Sequence, residues 1–408
     1  MMPIGMAGQH KVETITAEDI PAFVAGVESA FHDDPSPGDV DRITKKLEVD
    51  RTIAIRDGSD VVAGASIYSR RMTVPGGEVP IAGVTQVGVK PTHRRRGMLT
   101  AMMRRQLDDV REAGTESVAA LWAAEGAIYG RFGYGLASLS GEVRLDLRDV
   151  RLRAPATLRA RLAAPANAVD AMRAVYDAVR PTRPGMLDRE GVWWEARLHD
   201  PESEREGASA LRAAVIDDHA YALYAVKTQF EENRFSAEVQ PREVMAATAE
   251  GYAAIWDFLL NLDLTHRLHY LFGPSDDPLM LMVTEAQAAP VRLHEALWVR
   301  LVDLPRALRE RTYGEPFEVV FEVEDAFCPW NAGRWALRWD GTTATCAETA
   351  IAPALQLTTT ELGAAYLGGT TLAALARAGR VRELRPGTLA TVSRSFRGET
   401  APWCPEIF

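Results

Sequence analysis

Residues 84–101 read Val84-Thr-Gln-Val-Gly-Val-Lys-Pro-Thr-His-Arg-Arg-Arg-Gly-Met-Leu-Thr-Ala101. An apolar alternation stops at Pro91, three arginines and a glycine follow, and a helical pattern begins at once. Strand, basic glycine turn and helix start in that order suit an anionic ligand. Helix N-termini present unpaired N–H groups and the positive end of the dipole, and glycine lets a phosphate approach the backbone. Neighbouring arginines add charge-assisted hydrogen bonds. The residues alone leave a plainer reading open, an exposed basic turn between strand and helix. Two other phosphate motifs are excluded: there is no Gly-x-x-x-x-Gly-Lys-Ser/Thr segment, and one glycine stands where a dinucleotide fingerprint has three.

A chain of 408 residues has room for two or three domains with separate cores. Its 47% hydrophobic and 25% charged content is that of an ordinary globular protein. The formal charge of −10 argues against a general nucleic-acid binder. Three scattered cysteines, Cys328, Cys346 and Cys404, form neither a disulfide framework nor a zinc motif. No apolar run reaches membrane length and no signal peptide is legible, so a cytoplasmic protein without a membrane partner is expected.

Working outward from the opening stretch, Lys11–Ile15 reads as a strand and Thr16 as the cap of a helix carrying Ile20, Phe23, Val24, Val27 and Phe31. Asp57-Gly58 and Gly76-Gly77 are hairpin turns. Met98 to Val110 is an amphipathic helix that Gly114 ends, and Val118–Trp122 is a buried strand. The stretch from Ala124-Glu125 to Tyr134-Gly135 then places four glycines among Tyr129, Phe132 and Tyr134. By itself this is a loop whose aromatic side chains cap a core.

That element order, with Arg94-x-x-Gly97 at the turn and Glu125-Gly-Ala-Ile-Tyr129-Gly-Arg-Phe-Gly-Tyr-Gly135 beyond it, resembles the GNAT superfamily of acyl-CoA-dependent N-acyltransferases. Within it the chain is similar to the enhanced intracellular survival (Eis) group. Leu99 stands where the wider superfamily has a glycine or alanine, a departure the Eis-like group shares.

Residues 149–295 repeat the order more weakly: a helix over Ala168–Val179, a hairpin turning at Asp217-Asp218-His219, and a helix from Ala247 to Leu262. Pro241-Arg242-Glu243 is read as the remnant of the ligand turn, without its glycine and carrying an acid. Beyond Leu297 the α+β pattern resembles a sterol-carrier-type domain, with Trp330, Trp335 and Trp339 as packing residues. The expected fold is thus α/β (α+β): a GNAT domain over 1–148, a degenerate GNAT-like domain over 149–295, and a sterol-carrier-protein-like domain over 296–408.

The resemblance implies an acetyltransferase using acetyl-CoA and no metal. It implies cofactor contacts at Val87, Gly88, Val89, Arg95, Arg96, Gly97, Met98, Leu99, Thr100, Ala124 and Glu125. Tyr129 is the implied general acid and the α-carboxylate of Phe408 the implied base. Some relatives have an acid next to last; here that residue is Ile407 and the acid is Glu406, which leaves a substrate contact by that side chain in doubt. The implied acceptor is a small polycationic amine such as an aminoglycoside, and the implied assembly a homo-oligomer, a hexamer. Glu28, Asp33 and Asp34 either line the acceptor pocket or form a solvated acidic turn. Gln86 stands where relatives carry an aromatic pocket residue. A non-catalytic acyl-CoA sensor or scaffold, and an acyltransferase acting on protein lysines or using longer acyl-CoAs, are the alternatives.

Overall fold

The computed structural model describes residues 10–231 and 234–408. Their contacts form two units: residues up to Ala137 with Leu297–Arg397 and Phe408, and Ser138–Ala296 with Gly398–Ile407.

The first unit contains β1 (Glu13–Thr14), α1 (Ile20–Glu28), α2 (Pro37–Lys46), β2 (Ile53–Asp57), β3 (Asp60–Val74), β4 (Gly77–Val89), α3 (Met98–Ala113), β5 (Val118–Trp122) and β6 (Gly135–Leu136). Both hairpin turns form where glycine supplies positive φ, at Gly58 (63°) and Gly76 (88°). Gly114, at φ 64°, ends α3 as expected. α1 stops at Glu28, so Phe31, expected on its apolar face, is 51% exposed. α2 is an element that apolar periodicity does not reveal. It carries few apolar residues, and its legible signal is the Ser36–Asp39 capping box.

The sheet runs β1, β2, β3, β4, β5, then the strand Leu297–Leu301, then β6. Between β3 and β4, Gly64 faces Gly88 and Ser66 faces Thr85, so Gln86 and Val87 form a bulge. Gln86 adopts φ 52° there. β4 and β5 pair in parallel only at Ile81/Val118, Ala82/Ala119 and Gly83/Ala120. Beyond Gly83 the two strands part, leaving one edge of β4 free from Val84 to Val89.

The sheet has two dressed faces. α1 covers one: Phe23 and Val27 lie where a side chain on Gly64 would be. α3 covers the other through Met103, Leu107 and Val110, packed with Ile67, Ala82, Val84 and Leu121.

A second sheet in this unit, with helices on it, is the sterol-carrier-like part. Its strand order is Ala344–Glu348, Gly333–Trp339, Phe317–Glu324, Leu355–Thr358, Arg382–Glu383. Trp335 and Trp339 are buried, and the Trp330 Nε1–H donates to the Val302 carbonyl at 2.8 Å. All three are packing residues, as expected. The buried Arg300 joins this part to the first sheet, donating to Asp325 (2.5 Å) and Thr359 (2.5 Å). A side chain on Gly135 would collide with the backbone at Thr360 and Ala364.

The second unit contains β7 (Leu139–Asp146), β8 (Arg161–Ala163), α4 (Val169–Val179), α5 (Val192–Arg197), β9 (Arg212–Ile216), β10 (Ala220–Glu231), β11 (Arg234–Ala246), α6 (Ala249–Leu260), β12 (Arg267–Pro274) and β13 (Val291–Glu295). Its sheet order is β13, β7, β12, β11, β10, β9, β8. The boundaries expected at 148 and 295 therefore do not follow the contacts. β7, expected to close the first domain, lies between β12 and β13. Its Glu142 accepts from His269 (2.9 Å) and His294 (2.8 Å), one on each neighbour. The bond from His294 foremost, then that from the Arg144 guanidinium (2.6 Å) and that from His269, lower the carboxyl pKa to about 2. Leu297–Leu301, expected to open the third domain, completes the first sheet, with Leu297, Val299 and Leu301 fully buried.

The Pro241-Arg242-Glu243 reading is also corrected. These residues lie inside β11, and Glu243 is buried, paired with both guanidinium nitrogens of Arg189 (2.9 and 3.0 Å). The connection into α6 is Ala247-Thr248. The Thr248 hydroxyl accepts from the Gly251 N–H, and a side chain on Gly251 would press on the His219 carbonyl at 2.7 Å. A capped, tightly packed helix start is no anion cradle.

Candidate active site

At the opening stretch, the chain leaves β4 through Pro91–His93, and two positive φ values shape the turn, Arg95 at 64° and Gly97 at 85°. Gly97 is the N-cap of α3 and brings no side-chain acceptor, and the first helical bond inward is Ala101 N–H to the Gly97 carbonyl (3.0 Å). The N–H groups of Met98, Leu99 and Thr100 are thus the orphan donors of a helix start. Arg95 and Arg96 are exposed beside them. Arg94 instead braces the turn against α1, its guanidinium donating to the Ala30 carbonyl (2.8 Å) and, at 3.4 Å, to that of Val89. This geometry fits a pyrophosphate, and the free edge of β4 at Val87–Val89 fits an amide-bearing arm lying alongside it.

Gly88, a cofactor contact by the resemblance, has a packing reason for its missing side chain. A Cβ there would meet the Val27 carbonyl at 2.9 Å and the Ala30 Cβ at 3.2 Å. Its missing side chain admits α1, not a ligand. Gln86 sits at the strained bulge with its amide oxygen buried and unbonded among the described residues. Ala124 and Glu125 are exposed just past the end of β5.

Tyr129 joins two short 3-10 turns, Gly126–Ile128 and Gly130–Phe132. Its ring is buried in the cluster with Val84, Leu121, Met103, Leu107, Phe132 and Tyr134, and it meets Tyr134 edge-on at 6.0 Å. Phe132 and Tyr134 are core residues, as the plainer reading has it. The hydroxyls of Tyr129 and Tyr134 both bond to no group among the described residues, and Tyr129 differs in keeping 7% of its surface exposed where Tyr134 is fully enclosed. Burial raises its pKa above the ordinary tyrosine value.

Phe408 lies beside Gly83, its ring 3.2 Å from where a Cβ would stand. Successive strand residues face opposite sides. Tyr129 packs with Val84 and Ala82, so Tyr129 and Phe408 stand on opposite faces of β4, next to where it leaves β5.

Glu28, at the end of α1 on the face of the sheet that Phe408 occupies, has a raised pKa, first through burial and then through Asp33. Asp33 and Asp34 are exposed. Glu406 is not available to a substrate: in the second unit it accepts from Arg189 Nε (2.6 Å) and the Tyr176 hydroxyl (3.2 Å).

The Acetyltransferase (GNAT) domain family matches residues 11–137 and a second Acetyltransferase (GNAT) domain family matches 185–301, while the Sterol carrier protein domain family matches 304–405. The N-acetyltransferase Eis of Mycobacterium tuberculosis is 33% identical over 94% of this chain and 96% of its own. The chain belongs to the Eis-like family of GNAT N-acetyltransferases. An uncharacterized N-acetyltransferase of Streptomyces avermitilis is 46% identical over 88% of this chain and 90% of its own. The crystal structure of Eis1 from Mycobacterium abscessus matches 98% of this chain and all of its own, at TM-score 0.85 and 30% identity. This Eis-like protein is therefore an N-acetyltransferase with two GNAT domains and a sterol carrier protein domain, and a GNAT domain implies acetyl-CoA as donor. Among the described residues no helix is long and apolar enough to cross a membrane, and no cluster of three His, Cys, Asp or Glu side chains is arranged for a metal.

One contributor to this region is hard to find by sequence reasoning alone. Leu297–Leu301 backs β5 from the far side of the chain, and no local signal names its partner. Gly83, by contrast, is a glycine inside the apolar run 79–89, a recognised mark of close approach.

The Gly97 turn supplies one prediction. Gly97→Val should raise the calorimetric dissociation constant for CoA by about tenfold, matching the ~1–2 kcal/mol cost of left-handed backbone for a side-chain-bearing residue. An unchanged constant would mean that the pyrophosphate sits elsewhere.

Proposed function

We propose that this enzyme transfers the acetyl group of acetyl-CoA to an amine of a small polycationic acceptor, of which an aminoglycoside is an example. The observation that carries the reading is the placement of a free phenol and the chain terminus on opposite faces of β4 where it parts from β5. In this reading the N–H groups of Met98, Leu99 and Thr100 and the exposed Arg95 and Arg96 hold the pyrophosphate. The strand edge at Val87, Gly88 and Val89 pairs with the pantetheine arm, and Ala124 and Glu125 border it at the end of β5. The thioester supplies an activated acyl carbon and a sulfur leaving group.

The chain's residues then divide the proton transfers. An ammonium with a pKa near the lysine value of about 10.4 is mostly protonated at pH 7 and must lose a proton before it attacks. The Phe408 α-carboxylate receives and orients it from one face and acts as the base, with Glu28 and the exposed Asp33 and Asp34 adding negative charge on that approach. Tyr129 acts as general acid from the other face. Its pKa lies above about 10, whereas a thiol titrates near 8.5, so proton transfer to a free thiolate is uphill by at least ~2 kcal/mol. The phenol therefore works first as a hydrogen-bond donor to sulfur as charge grows. The proton released by the amine balances the step.

The family membership favours a catalyst over a sensor or scaffold, and of the two unpartnered phenols in this cluster Tyr129 is the one that is not fully enclosed, which suits a proton donor. Homo-oligomerisation, as a hexamer, belongs to the same proposal, and light scattering tests it. The deciding experiment measures thiol release from acetyl-CoA and longer acyl-CoAs with aminoglycosides, polyamines and lysine-bearing peptides. Amine-dependent release with acetyl-CoA and an aminoglycoside is expected. CoA binding with no release from any pair would overturn the reading in favour of a sensor.

A further inference from the structure

Gly83 sits in the interior of β4, paired on both sides, to Tyr68 in β3 and to Ala120 in β5. Its φ is not positive, so the backbone there is ordinary strand that any residue adopts. Glycine in a strand interior weakens it, through lost entropy and an absent side chain, and it marks a close approach. What approaches is the C-terminus. A Cβ on Gly83 would stand 3.2 and 3.5 Å from two ring carbons of Phe408 and 3.2 Å from the Tyr68 carbonyl oxygen. Both 3.2 Å contacts are tighter than ordinary van der Waals contact, and each is relieved by a shift of a few tenths of an ångström, in the strand for the carbonyl and in the terminal residue for the ring.

We infer that Gly83 is a positioning residue: it is the seat of the Phe408 ring, and by admitting the ring against the strand it sets where the terminal carboxylate meets the acceptor amine. The inference rests on the reading of that carboxylate as the base. Position and chemistry are linked because ring and carboxylate belong to one residue joined through a single Cα. A side chain on Gly83 displaces the ring by a few tenths of an ångström, and the share of that displacement not taken up by rotation about the Phe408 side-chain bonds is carried to the carboxylate. Gly83 lies well before the glycine turn and the helix start that hold the donor, so acetyl-CoA binding is independent of the seat.

The test is a cycle of three proteins beside the wild type: Gly83→Ala, a chain ending at Ile407, and the two together. Gly83→Ala is expected to lower kcat/KM for the amine by about tenfold, less than the ~10²-fold cost of a 1 Å misplacement, with the acidic limb of the amine pH profile, which reports the base, displaced. The dissociation constant for CoA should stay within about twofold, equivalent to less than the 1.4 kcal/mol of a tenfold change. In the chain ending at Ile407 the alanine should add nothing. Gly83→Ala/Phe408→Leu, which keeps the carboxylate and shrinks the ring, should recover part of the lost activity. An alanine effect as large in the shortened chain as in the full one would overturn the inference while leaving the terminal base in place. Full activity of the shortened chain would overturn the base and the seat together. A failure of CoA binding in Gly83→Ala would show a strand disrupted as a whole, which also overturns the assigned role.

Discussion

Replacing Tyr129 with phenylalanine is expected to lower kcat for acetyl transfer by about 10²–10⁴-fold, the usual range for a positioned proton donor. The ring stays in its cluster with Val84, Leu121 and Phe132, so the fold and CoA binding should be nearly unchanged. The sign of the pH dependence follows from the shift. Burial penalises the phenolate, so the Tyr129 pKa is raised, and the acid form persists through neutral and mildly alkaline pH. Loss of kcat from this group should begin only above about pH 10, and that limb should vanish in Tyr129→Phe. Steady-state kinetics with thiol detection would decide it. Wild-type turnover in the variant removes Tyr129 from the mechanism.

Removing Phe408, or extending the chain beyond it with a tag, should cut turnover by about 10²–10³-fold, within the same range for acid–base groups. Truncation moves the α-carboxylate onto Ile407, which is 61% exposed, and takes the ring away from Gly83. A tag converts the carboxylate to a neutral amide while the ring remains. The two changes therefore separate charge from seating: the tagged protein loses the base alone. CoA affinity should hold in both, since the donor turn at Arg95–Thr100 is untouched. A tail-extended protein with full turnover would remove the carboxylate from the mechanism.

Much of this protein is legible locally because local physics decides it. The Gly58, Gly76 and Gly114 turns need positive φ, and glycine is there. α3 follows from its apolar spacing, and β5 from a run too short and too apolar for anything else. The donor turn is legible for the same reason, since helix start, glycine and arginines are adjacent in sequence. Where local signals are thin, the sequence is silent or misleading. α2 has only Val40 and Ile43 as apolar anchors, three positions apart, too few to set a helical period by themselves. Gly88 looks like room for a ligand, when the atoms it makes room for belong to α1, about sixty residues back along the chain.

What the tertiary structure alone decided is partnership. A β-strand's own residues say that it will be buried, and its ladder hydrogen bonds are the same whichever strand it meets. Thus β7, inside the expected first domain, and Leu297–Leu301, at the start of the expected third, each pair in a sheet those boundaries did not assign them. The choice was made by long-range contacts such as those of Glu142 with His269 and His294. The same holds for the site. The amino-acid sequence by itself determined the glycine turn and helix start proposed for the donor, because those residues are contiguous between Val84 and Ala101. Tyr129 is suggested by a motif, and only the packed fold leaves it partly exposed while it encloses Tyr134 completely. That Phe408 rests on Gly83, 325 positions back along the chain, follows from the packed fold, where a missing methyl group leaves a place for a ring.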